Sequence, residues 1–182
     1  MFFNSWLDSI RHRISRSVLG HRRRRSRQSI GSLEKLEDRT LLSVSALFSN
    51  GVLLINSTDD NGPDTISVGA DANGNVQVRA NGVLVGSLGA LAASEVEGLV
   101  VRGSDGSNLI DLSGVTTAAY SYPNLTIDVD GGNGHDTILG SFDGNDVIDG
   151  GHGNDRITGG SGANTIDGNH GHDTIDGGDG DD

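Results

Sequence analysis

GGNGHDTIL (131–139), GSFDGNDVID (140–149), GGHGNDRIT (150–158), GGSGANTID (159–167), GNHGHDTID (168–176) and GGDGDD (177–182) are successive copies of one nine-residue phrase. The shared template is GGxGxDxUx, with U a large apolar residue. Asp136, Asp146, Asp155, Asn164, Asp173 and Asp182 fill its acidic position at intervals of ten, nine, nine, nine and nine residues. Ile138, Ile148, Ile157, Ile166 and Ile175 fill the apolar one. A short fixed period of this kind means stacked units, each burying its apolar face only against its neighbours.

Positions seven to nine suit a minimal strand whose middle residue faces one way and whose neighbours face the other. In Thr174-Ile175-Asp176 this puts Ile inward and Thr and Asp outward. Positions one to six must turn the chain back, and glycines at one, two and four allow positive φ there and leave carbonyls uncovered. Stacked coils then bring the position-six side chains beside rows of carbonyl oxygens. Calcium takes about six to eight oxygens in flexible geometry, whereas magnesium demands a tighter octahedron. The expected calcium ligands are Asp136, Asp146, Asp155, Asn164, Asp173 and Asp182. They act with the carbonyls of Gly131, Gly132, Gly134, Gly150, Gly151, Gly153, Gly159, Gly160, Gly162, Gly168, Gly171, Gly177 and Gly178. One Ile per nine residues buries too little apolar surface to offset the backbone entropy of ordering the segment. Residues 131–182 are therefore expected to fold as they bind calcium, binding free energy supplying folding free energy.

These repeats resemble the haemolysin-type RTX calcium-binding nonapeptide. The resemblance implies an all-β fold, a parallel β-roll with two nonapeptides per coil and calcium between turns on each side. It implies one edge of Asp136, Asp155 and Asp173 and another of Asp146, Asn164 and Asp182, with Ile138, Ile157 and Ile175 facing Ile148 and Ile166. Asn164 removes a charge and should weaken the second edge. In the second unit Gly140 reads as an extra residue, with Ser141 and Phe142 in place of the paired glycines; Asn169 replaces a glycine in the fifth.

Outside the repeats the chain changes character. Residues 1–43 carry ten Lys or Arg against four Asp or Glu, net +6, and residues 44–182 carry three against twenty-one, net −18. A basic leader joined to an acidic body suggests a targeting segment and a cation-binding module. Phe3, Leu7, Ile10, Ile14 and Val18 have the spacing of a short basic amphipathic helix, so the leader reads as helical or disordered. An Arg run at 22–25 follows, and the apolar patch Leu41–Phe48 with small residues near Ala46 makes a loose secretory pattern, too short to span a bilayer. Leu36-Glu37-Asp38-Arg39-Thr40-Leu41-Leu42 resembles the LEPR-XLL sorting segment of large secreted bacterial proteins, with Asp38 where that motif has Pro. A helical cap with Glu/Lys pairs competes for this stretch. A nucleic-acid-binding arm is disfavoured because the Arg run lacks interleaved aromatics and the acidic body repels phosphate.

From residue 44 to 102, short β-rich runs alternate with turn signals, and Asn81-Gly82 between two such runs is a two-residue hairpin signal. GSDGSNLID (103–111) is a degenerate unit with Asn108 at the acidic position, and Gly62-Pro63-Asp64-Thr65-Ile66 fits the template's second half. Gly114–Pro123 should loop out as an insertion before Leu125, Ile127 and Val129 restart the strand pattern. The organisation is a leader (1–43), a β-rich stretch of strands and hairpins (44–102), a degenerate repeat with insertion (103–130) and the β-roll (131–182).

Other residues invite chemistry. His135, His152, His170 and His172 stand at variable turn positions, where solvent exposure competes with a zinc or copper site. Asp128 and Asp130 are either a calcium site ahead of the first full unit or a solvated strand edge. Asp143, Asp149, Asp167, Asp176, Asp179 and Asp181 recur with the repeat, which explains them without glycoside chemistry. There is no Cys and no HExxH, GxSxG or Walker sequence. The reading is a non-enzymatic, secreted, extracellular calcium-binding protein with a structural or adhesive role, partnered by calcium and not by nucleic acid. The alternative is the leading part or an accessory module of a larger secreted hydrolase, lyase or protease.

Overall fold

In the computed structural model, residues 43–58, 62–121 and 125–182 are described. The amphipathic pattern of residues 1–20, the Arg run and the LEPR-XLL-like segment 36–42 lie outside them.

Thirteen strands form two sheets among these residues: β1 (Val44–Ser49), β2 (Val52–Ser57), β3 (Thr65–Ala70), β4 (Val76–Ala80), β5 (Val83–Leu84), β6 (Gly98–Arg102), β7 (Leu109–Gly114), β8 (Thr126–Asp130), β9 (Thr137–Leu139), β10 (Asp146–Asp149), β11 (Arg156–Thr158), β12 (Thr165–Asp167) and β13 (Thr174–Asp176). The first sheet has the order β1-β2-β6-β8-β10-β12, the second β13-β11-β9-β7-β3-β4-β5. From β6 onward the chain alternates between the sheets, and β2, β6, β8, β10 and β12 are mutually parallel, as are β3, β7, β9, β11 and β13. This is an all-β parallel roll, as the repeats implied. Both sheets run unbroken through positions 102–103 and 130–131, so the degenerate unit lies in register with the full ones: Thr65, Leu109, Thr137, Arg156 and Thr174 share one row.

Antiparallel hairpins close the early end. β1 pairs with β2 through Asn50-Gly51, and β4 pairs with β5 through Asn81-Gly82. The φ values are +50° and +80° in the first turn and +50° and +79° in the second, the left-handed pair a type I′ turn requires. Asn81-Gly82 is thus the expected hairpin. The apolar patch read as part of a secretory pattern is, from residue 44 on, the edge strand β1, with Val44 and Ala46 in the core. A cut near Ala46 would sever it.

The core tapers. β2, β3, β6, β7 and β8 each send two apolar side chains inward, from Leu53 and Ile55 to Ile127 and Val129, whereas β9 and β11 send one each, Ile138 and Ile157. In the first sheet Asp146 takes the row held by Ile127 one strand earlier, so a carboxylate enters where a methyl-rich side chain had been. Ile148 is buried and Ile166 partly so, but Ile175, expected on the inner face, is 47% exposed because β13 is the outermost strand of its sheet.

The insertion after β7 folds back rather than looping out. A single helical turn, α1 (Thr117–Tyr120), drives Tyr120 fully into the core, where its hydroxyl donates to the Gly69 carbonyl at 3.1 Å. Asp143 accepts from both the N–H and the hydroxyl of Thr117 at 2.7 Å, and Phe142 N–H donates to the Val115 carbonyl. Gly140 keeps the first template position, its face turned to Gly159 as Gly131's is to Gly150. The extra residue of the ten-residue unit is therefore absorbed in the turn 141–144, where it reaches α1; it is not Gly140.

Candidate metal centre

The position-six residues form two columns at the turns. Where the chain enters the second sheet the column is Asp64, Asn108, Asp136, Asp155 and Asp173. Each backbone N–H donates to Oδ1 of the residue one coil on: Asp64 to Asn108 at 3.0 Å, Asn108 to Asp136 at 2.7 Å, Asp136 to Asp155 at 2.8 Å and Asp155 to Asp173 at 2.9 Å. On the opposite edge Asp146 donates to Asn164 at 3.0 Å and Asn164 to Asp182 at 2.9 Å. The side chains of Asp64, Asn108, Asp136, Asp146, Asp155 and Asn164 are buried; Asp173 is half-buried and Asp182 exposed.

Among the four buried acids the ladder fills Oδ1 of Asp136 and Asp155, leaving Oδ2 to be satisfied, whereas Asp64 and Asp146 receive side-chain donors on Oδ1 instead. Asp64 accepts from Ser43 Oγ at 2.5 Å, from Ser57 Oγ and from Asn81 Nδ2 at 2.9 Å. Burial alone would raise its pKa, but these donors outweigh burial and hold it below the usual carboxylate value. Asp146 takes the Ser141 N–H and hydroxyl at 2.5 and 2.8 Å, so burial still leaves its pKa raised but both oxygens are partnered. Asp136 Oδ2 and Asp155 Oδ2 are buried with no hydrogen-bond partner. Burial, opposed by the Asn108 N–H and reinforced by Asp155 and Asp130, pushes Asp136 up to about 7; burial and neighbouring Asp173 and Asp149 raise Asp155.

Each orphaned oxygen shares its pocket with a carbonyl. A methyl group placed on Gly131 would lie 2.5 Å from the Gly150 carbonyl oxygen and 2.7 Å from Asp136 Oδ2. One on Gly150 would lie 3.0 Å from the Gly168 oxygen and 2.8 Å from Asp155 Oδ2. Acceptor thus faces acceptor in a glycine-walled cradle, an arrangement that calls for a proton or a cation between them. The donors are hard oxygens with neither sulfur nor imidazole nitrogen, and they fit calcium. Among the described residues no three His, Cys, Asp or Glu side chains converge on one point, so any ion there relies on backbone carbonyls as well.

Other expected carbonyls divide by position. Those of Gly132, Gly151 and Gly160 accept from the N–H of His152, His170 and Asp179 one coil on, at 2.9 to 3.1 Å. The Gly134, Gly153 and Gly162 oxygens lie against the fourth-position glycines Gly153, Gly171 and Gly180, where a side chain would overlap them. The first-position oxygens of Gly131 and Gly177 accept the amides of Asn108 and Asn164 at 3.4 and 3.2 Å, and that of Gly159 faces Gly140 and Asp146.

The tempting residues resolve locally. All four turn histidines are exposed. His135 Nδ1 accepts the Asn154 N–H at 2.7 Å, and the His152 and His170 rings stack at 4.4 Å with a 6° interplanar angle. Asp128 and Asp130 pair with Arg102 at 3.2 and 3.4 Å in a solvent-facing strand row. Asp149 and Asp167 accept from the side chain and the N–H of Asn169, and Asp176, Asp179 and Asp181 are exposed. Sequence reasoning gave no role in the site to Ser141 or to the Ser43, Ser57 and Asn81 cage of Asp64; these donors stand 5, 21, 7 and 17 residues from their carboxylates, off the nine-residue period, and so carry no periodic signal.

The family model for the RTX calcium-binding nonapeptide repeat, four copies, matches residues 130–166 and 150–182. No curated protein and no solved structure matches the chain. Among the described residues no helix is long and apolar enough to cross a membrane.

Proposed function

Starting from residues 130–182 as haemolysin-type RTX repeats, which bind Ca2+ and are not themselves catalytic, we propose that this chain is a secreted structural or adhesive module completed by calcium outside the cell. The observation that carries the reading is the pair of buried, unpartnered oxygens Asp136 Oδ2 and Asp155 Oδ2, each converging with a first-position carbonyl. Asp136, Asp155 and Asp173 with the Gly150 and Gly168 carbonyls would hold calcium along the first edge. A bound ion supplies there the positive charge that two facing acceptors lack. On the second edge the proposed ligands Asp146, Asn164 and Asp182 contribute less, because Ser141 and the Asn164 amide already occupy that role.

An extracellular setting suits the reading on two counts. Extracellular modules work at affinities of about 10⁻⁴ to 10⁻³ M because calcium is plentiful there. A leader of net charge +6 preceding a body of −18 agrees with export, and β1 requires any cleavage to fall before its first residue, Val44. Equilibrium dialysis of the full chain against radioactive calcium, with circular dichroism in chelator and in millimolar calcium, tests the proposal. Saturable binding with a gain of β signal is expected. Absence of binding at millimolar calcium would reject it.

A further inference from the structure

The position-six side chains are not chemically uniform, and their differences fall on one atom. Whether the residue is Asp or Asn, Oδ1 accepts an N–H from the preceding coil where such a coil offers one: Asp64 into Asn108, Asp146 into Asn164, Asp136 into Asp155. Because Oδ1 must accept, the amide orientation of both asparagines is fixed, and Nδ2 is the atom turned to the glycine cradle. There Asn108 Nδ2 donates to the Gly131 carbonyl at 3.4 Å and the Ser104 carbonyl at 3.3 Å. Asn164 Nδ2 donates to the Gly177 carbonyl at 3.2 Å and the Gly162 carbonyl at 3.3 Å. A methyl placed on Gly159 would lie 2.7 Å from Asn164 Nδ2 and 2.5 Å from the Gly177 oxygen, the same convergence seen at Gly131 with nitrogen in place of Asp136 Oδ2.

We infer that Asn108 and Asn164 are calcium-independent rungs, in which the side-chain amide occupies the place of the cation and closes one coil onto the next without metal. The inference rests on the calcium reading above and sharpens it by dividing the column into two kinds of coil. Upstream, Asp64 is satisfied by hydroxyls and an amide, and Asn108 by itself, so β2 through β7 close on protein donors alone. Asp136 is the first residue of that column to leave an acceptor unpaired. The metal-free coils thereby present a finished edge, with Asn108 N–H already aimed at Asp136 Oδ1, on which the calcium-requiring coils assemble. Asn164 is a second closed rung between Asp146 and Asp182 on the far edge.

The experiment exchanges the single atom in both directions in the full chain. Asn108→Asp should lower the thermal midpoint in chelator at pH 8 by about 4 °C or more, recover in millimolar calcium, and add at least one bound calcium. Asn164→Asp, on the other edge, should do the same and serves where Asn108→Asp does not fold in chelator. Asp136→Asn should raise the chelator midpoint and reduce the calcium count. A wild type that binds no calcium would overturn the proposed function, yet this inference would still stand if the chelator midpoints moved in opposite directions and the Asn→Asp losses were recovered in calcium. Midpoints that fall equally in chelator and calcium for the Asn→Asp variants, or an Asp136→Asn variant no more stable in chelator than wild type, would overturn it.

Discussion

Single atoms decide what this protein needs from its surroundings. Asp155 is bound twice into the ladder: its Oδ1 accepts the Asp136 N–H, and its own N–H donates to Asp173. Asp155→Ala therefore orphans a buried N–H and removes an expected ligand together. A loss of about 1 to 3 kcal/mol in the metal-free state, by urea titration, and at least a tenfold weaker calcium affinity, by dialysis, are expected. Protons compete for the same oxygens. Asp136 rises from an ordinary 3.8 to about 7 in the folded protein, so its protonated form favours folding. That contribution is complete below 3.8 and lost as pH climbs through about 7, with Asp146 and Asp155 shifted in the same direction. Asp64 works oppositely: held below 3.8, it stabilises above that value and ceases to as pH falls past its folded value. The chelator-treated protein should accordingly lose urea resistance between pH 4 and 7.5. Calcium should bind more tightly over the same range, because the ligand carboxylates must be ionised. A flat urea midpoint across this range would contradict the burial of these acids.

At the scale of the element, the turns carry the repeat and the strands merely follow. Gly153 has φ +146°, and a side chain on it would overlap the Gly134 carbonyl of the preceding coil. Gly74, in the turn between β3 and β4, has φ +79° with nothing within 4 Å of an added methyl. Gly74→Ala should cost only the left-handed penalty of about 1 to 2 kcal/mol. Gly153→Ala adds a steric separation of two coils and should cost distinctly more; equal thermal midpoints for the two variants would show that coil spacing is not set there. Much of this level was legible in the sequence. The strand rows from Thr65 to Thr174 and the Asn81-Gly82 turn follow from period and turn chemistry. β1 was not, because Val44–Ser49 has the composition of an apolar leader and becomes a strand only through its partner β2. Nor was the fate of the insertion, which depends on Tyr120 reaching Gly69, 51 residues away.

Across the whole roll, apolar burial declines while carboxylate content grows. Coils with two inward residues per strand precede coils with one, and the first orphaned carboxylate appears where the taper sets in. The metal-free protein should therefore be stable at its early end and labile toward β13. Hydrogen exchange in chelator should find β2, β3, β6 and β7 protected and β9 through β13 exchanging quickly, with protection spreading along the later strands as calcium is added. Uniform protection in chelator would mean that the later coils need no metal.

The sequence by itself determined the repeat and the hard-oxygen character of the turns, because these depend on spacing within a single unit of nine, while the sorting of position-six residues into two edges was implied by the family resemblance. Only the tertiary structure decided which acids are left needing a cation. Partners on adjacent rungs lie 18 or 19 residues apart in the regular coils but 28 and 44 apart where the insertion and hairpins intervene. Satisfaction of a buried oxygen is settled by what the neighbouring coil presents, a serine hydroxyl, an amide or a bare carbonyl, and no period within the chain encodes that meeting.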